Sequence, residues 1–85
     1  MAYCPPELLE DLAEVLAEVR TWAWVIEKKP NVFYVCLQPF LHFHLVEGGR
    51  RRADLKGRTG WVQLDLPRPI STTRRRAFLR ELRTR

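Results

Sequence analysis

The sequence predicts an α+β domain: an antiparallel sheet of four or five strands, with an N-terminal and a C-terminal helix packed on one face. Three observations carry this expectation. Apolar residues recur at helical spacing near both ends of the chain. Between them, short β-branched and aromatic runs are separated by turn signals. The connections between those runs are hairpin-sized, so neighbouring strands pair antiparallel. With 85 residues the chain makes a single domain, 1–85, with a small core.

The first helix is expected over residues 5–19. Pro5 or Pro6 suits its first turn, where a missing N–H costs nothing. Glu7, Glu10 and Asp11 complement the positive end of the helix dipole. Leu8, Leu12, Val15, Leu16 and Val19 form the apolar stripe. Residues 22–27 read as a strand, because Trp22, Trp24 and Ile26 alternate; the competing pattern extends the helix to Lys28. Lys28-Lys29-Pro30-Asn31 is a turn.

Val32 to Leu37 is the next strand, with Cys36 expected as a buried small hydrophobe. Pro39 marks a corner, since it cannot donate within a central ladder. Phe40 to Val46 follows, and Glu47-Gly48-Gly49 closes a hairpin. Residues 51–56 return antiparallel, residues 57–60 turn, and Trp61 to Leu66 is the last strand. Ser71 or Thr72 caps a final helix whose pattern reaches Arg85, with Ala77, Phe78, Leu79 and Leu82 as its stripe.

Alternation sorts the strand side chains onto two faces. Leu41, Phe43, Val62, Leu64, Phe33, Val35, Ala53 and Leu55 belong under the helices, against Leu12, Leu16, Phe78 and Leu82. The other face gathers Tyr34, Phe40, His42, His44, Arg52, Asp54, Trp61, Gln63 and Asp65, given ordinary pairing without bulges. His42 and His44, two residues apart, point the same way and have an aspartate within reach. Paired imidazoles with a carboxylate can bind zinc, iron or nickel, or pass protons. The plainer expectation is of surface or interface histidines with no cofactor.

Charge is unevenly spread. Residues 1–27 hold six acids and one base, a net of −5; residues 28–85 hold fourteen bases and four acids, a net of +10. A nucleic acid or other polyanion is one partner this implies, held by Arg52, Arg74, Arg75 and Arg76 with Trp61 stacking on bases. A GC-rich genome or a heat-adapted source is the alternative origin of the same bias.

The segments Pro39-Phe40-Leu41-His42-Phe43-His44, Ala53-Asp54-Leu55 and Gly60-Trp61-Val62 together resemble small bacterial proteins of unknown function known as luciferase-like domains. The resemblance spans residues 30–66 and implies that His42, His44, Asp54 and Trp61 belong to one ligand-binding site.

No HExxH, Walker loop, dinucleotide fingerprint or spaced zinc-finger pattern occurs, and no nucleophile has a base placed beside it by sequence. Ser71 is better explained as a helix cap. The chain lacks a signal-peptide pattern and a membrane-length apolar run, so a cytoplasmic protein is expected. The leading expectation is a non-catalytic binding or assembly module, dimeric through its mixed sheet face. A nucleic-acid-binding domain and a metal- or small-ligand-binding domain centred on His42 and His44 are the alternatives.

Overall fold

The computed structural model describes residues 2–84. In chain order these form β1 (Ala2–Tyr3), a 3₁₀ helix (Pro6–Leu12), α1 (Ala13–Thr21), β2 (Ile26–Lys29), β3 (Val32–Val35) and β4 (Gln38–Val46). A tight Glu47–Gly49 turn, β5 (Arg50–Lys56), β6 (Trp61–Leu66) and α2 (Thr72–Arg83) follow. The sheet runs β2-β3-β4-β5-β6, with every pair antiparallel, and β1 adds to the far half of β4. Both helical segments pack on one face, as the apolar stripes imply. Leu12, Leu16 and Val19 meet Phe33, Leu41, Phe43, Ala53 and Leu55, and Phe78 and Leu82 complete the core. The Phe43 and Phe78 rings meet edge-on at 6.1 Å. Leu64 packs against this core, while Val62 is only half-buried.

The first helix begins as a 3₁₀ segment rather than as one α-helix over 5–19. The Leu8 carbonyl accepts from Arg51 Nη1 at 2.7 Å, tying that segment to the sheet. Ser71 caps α2, its hydroxyl accepting from the Arg74 N–H at 3.1 Å. The helix ends at Arg83, and Arg85 lies outside the described residues.

Four local expectations are corrected. Trp22–Val25 is a turn, closed by Trp22 N–H to Val19 O and Val25 N–H to Trp22 O, and the strand lies at Ile26–Lys29. The cause is packing: Trp22 rests on the core, Trp24 stacks on it at 5.2 Å, and Trp24 meets Phe40 edge-on at 5.9 Å. Cys36 is exposed, because β3 stops at Val35 and the Cys36-Leu37 pair makes the two-residue hairpin turn, at φ 52° and 67°.

Pro39 is a corner only in part, since it lies within β4 opposite Tyr34. Phe33 faces Leu41 while Tyr34 faces Pro39, so Phe40 is the extra residue of a bulge. That bulge turns Phe40 into the core instead of onto the second face.

Arg51 shares the inward face with Ala53 and Leu55 and is fully buried. Its guanidinium donates to both carboxylate oxygens of Asp11, at 2.6 and 3.0 Å, and to the Leu66 and Pro67 carbonyls. Asp11 also accepts from the Ile70 N–H, at 2.9 Å. The Arg51 hydrogen bond, outweighing the opposing effect of burial, holds the Asp11 carboxyl below its ordinary pKa. The buried Arg51 and the part-buried Asp11 thus tie the first helical segment to β5 and to the start of α2.

Candidate functional site on the open sheet face

The second face of the sheet carries no helix. The β4–β5 register sets His42 opposite Asp54 and His44 opposite Arg52. The β5–β6 register sets Asp54 opposite Gln63, Arg52 opposite Asp65 and Lys56 opposite Trp61. Alternation in three adjacent strands therefore places these side chains on one surface.

At its centre, Arg52 grips Asp54 with two bonds, Nε to Oδ1 at 2.7 Å and Nη2 to Oδ2 at 3.1 Å. His44 Nε2 lies 3.4 Å from Asp54 Oδ2, and His42 Nδ1 lies 4.0 Å from the same oxygen. The two imidazoles meet edge-on at 4.7 Å. Tyr3 stacks on His44 at 5.3 Å, and Trp61 leans on His42 at 4.9 Å. Asp54 is buried, and both histidines are largely covered. Among the described residues, His42 Nδ1 and His44 Nδ1 are buried without a hydrogen-bond partner.

Burial pushes the His42 pKa down, with His44 and Arg52 acting the same way and Asp54 opposing them. His42 is therefore a neutral imidazole near pH 7, able to offer a lone pair. His42, His44 and Asp54 are the group that could hold a metal ion, their ligand atoms lying within 4.8 Å of one another.

An apolar rim surrounds this centre. Tyr3, Ile26 and Trp61 are 56%, 58% and 42% exposed, and Ile26 lies on this face because it pairs with Tyr34. Lys28 Nζ sits over the Tyr34 ring and Lys56 Nζ over Trp61. Sequence reasoning missed Tyr3, since a two-residue strand has no periodicity to read. It missed Ile26 because Trp22 and Trp24 were grouped with it.

The sequence-derived site residues divide into two places. His42, His44, Asp54, Arg52 and Trp61 come together on the open face. Arg74, Arg75 and Arg76 lie on α2, on the opposite side of the sheet. There Arg74 donates to the Asp65 carbonyl and Arg75 to the Asp11 carbonyl. Arg75 and Arg76 line a cleft with Glu14 and Glu18 of α1, and Arg83 pairs with Glu18. The arginine run thus borders the acidic helix and does not join Arg52 in one basic surface.

The chain matches no protein-family model, no curated protein and no solved structure. Among the described residues, no helix is long and apolar enough to cross a membrane.

Proposed function

We propose that the protein is a small non-catalytic assembly module that pairs with a second copy of itself through the open sheet face. The observation that carries this reading is the exposed rim of Tyr3, Ile26 and Trp61 around a largely desolvated polar centre, on a face left uncovered by either helix. Exposed aromatics around a shielded polar cluster are what a binding surface offers.

Charge favours a second copy over a polyanion. From β2 to β6 this face carries Lys28, Arg50, Arg52 and Lys56 against Asp54 and Asp65, a formal +2 on a chain of +5. Two such faces repel weakly, and the opposite charges within each can pair across a two-fold axis. With Arg52 already held by Asp54, that small excess gives a phosphate backbone little to hold.

Concentration-dependent NMR tests the location of the contact. Dilution from millimolar to low micromolar should shift the resonances of Tyr3, Ile26, His42, His44 and Trp61 and spare α1 and α2. Shifts confined to the helices would overturn the assignment of the face.

A further inference from the structure

His42 Nδ1, buried without a hydrogen-bond partner, calls for a partner that self-pairing does not by itself supply. We propose that His42 Nδ1, His44 Nε2 and one carboxylate oxygen of Asp54 bind a divalent cation of the zinc class, with Arg52 released from Asp54 as the ion enters. This site does not rest on the self-pairing reading.

Geometry comes first. Zinc holds imidazole nitrogen and carboxylate oxygen at about 2.0–2.2 Å in a tetrahedron, which separates neighbouring ligand atoms by roughly 3.3 Å. His44 Nε2 and Asp54 Oδ2 are already 3.4 Å apart. His42 Nδ1 lies 4.0 Å from that oxygen, and the three ligand atoms lie within 4.8 Å of one another, so the rings must close in to complete the triad. The strand register sets Asp54 directly opposite His42 and diagonal to His44, with all three on one face.

The donor chemistry selects the ion. Two imidazole nitrogens and one carboxylate oxygen suit zinc and its borderline neighbours, whereas calcium and magnesium prefer all-oxygen sets. His42 Nδ1 is buried and unpartnered, so its desolvation is already met in the fold, and a metal bond would satisfy it. Three protein ligands leave a fourth position for water or a further ligand.

Arg52 is the competitor. Its fork occupies both Asp54 oxygens, so its Nη2 bond to Oδ2 must break before that oxygen can ligate an ion. Asp65, its cross-strand neighbour on β6, is a second carboxylate on the same face to which the side chain can turn. Arg52 thus acts as a positioning residue that holds Asp54 in the absence of metal and lowers the affinity of the site.

The test is zinc titration of the full chain, read by imidazole nitrogen NMR and by competition with a chromogenic chelator. The expected result is one zinc per chain, with the bound-state shift on Nδ1 of His42 and Nε2 of His44. His44→Ala and Asp54→Asn should each weaken binding at least tenfold, about the loss that even a supporting residue can cause. Arg52→Gln should tighten it by roughly tenfold, since a charge-assisted competitor is removed. Absence of a ring-nitrogen shift at stoichiometric zinc would overturn the proposal, as would binding unchanged by His44→Ala. The wild-type ring shifts decide the matter if a variant fails to fold.

Discussion

Arg52 and Asp54, two residues apart on one strand, form a bidentate ion pair across the outward face of β5, at 2.7 and 3.1 Å. A strand places such residues side by side, so the pair needs no tertiary rearrangement to form. Its consequence lies with the neighbours. Asp54 is already engaged by a permanent cation. His42, held low chiefly by burial, faces His44 and Arg52 as like charges and Asp54 alone as an opposite one.

That arrangement fixes the sign of a pH effect. Below the ordinary imidazole pKa of about 6.5 the unfolded chain binds a proton at His42 that the fold resists. The His42 contribution is therefore fully present above about pH 6.5 and is lost as pH falls toward the lowered folded value. Urea midpoints measured at about pH 7.5 and 5.5 should show the decline, and His42→Gln should reduce it. An equal decline in the variant would show that His42 is not its source.

Asp11→Ala should be severely destabilising. It leaves the fully buried Arg51 guanidinium without its carboxylate, and breaking a buried pair costs about 3–5 kcal/mol. Adding Arg51→Met should recover part of the loss, because no uncompensated charge then remains. Chemical denaturation of the single and double variants checks both statements.

Phe43→Ala should cost about 3–5 kcal/mol, through a cavity between the sheet and α2. A loss below about 1 kcal/mol in the same assay would mean that this face is not the core.

The Cys36-Leu37 turn is conformationally strained. Both residues have left-handed backbone, at φ 52° and 67°, and Leu37 is 84% exposed. Asn and Gly are the residues such a two-residue hairpin favours. Replacing the pair with Asn-Gly should stabilise the protein by about 1 kcal/mol, measured by thermal or urea unfolding.

Much of this fold was legible because period-2 and period-3.6 patterns were clean. The β6 bounds, the Gly48-Gly49 hairpin and the Ser71 cap all follow from local chemistry. Alternation also brought His42, His44, Asp54 and Trp61 to one face. What escaped was decided by tertiary packing. The bulge at Phe40 is set by how β3 meets β4, and nothing in Pro39-Phe40-Leu41 announces it. The tryptophans at 22 and 24 alternate like strand residues yet stack on each other over the core. Arg51 obeys the alternation that turns Ala53 and Leu55 inward. Its burial follows only once Asp11, forty positions away, is seen to reach it. Tyr3 joins the site through a strand too short to carry a pattern.

Self-association through the open face is tested most directly by sedimentation velocity across a concentration series, with wild-type protein run beside Trp61→Glu. Trp61 is 42% exposed and opposite Lys56, so the substitution places a carboxylate at the rim without entering the core. The expected result is a wild-type dimer at high micromolar concentration and a monomeric variant with an unchanged circular dichroism spectrum. Wild-type protein that stays monomeric throughout, or a variant that dimerises equally well, would contradict it.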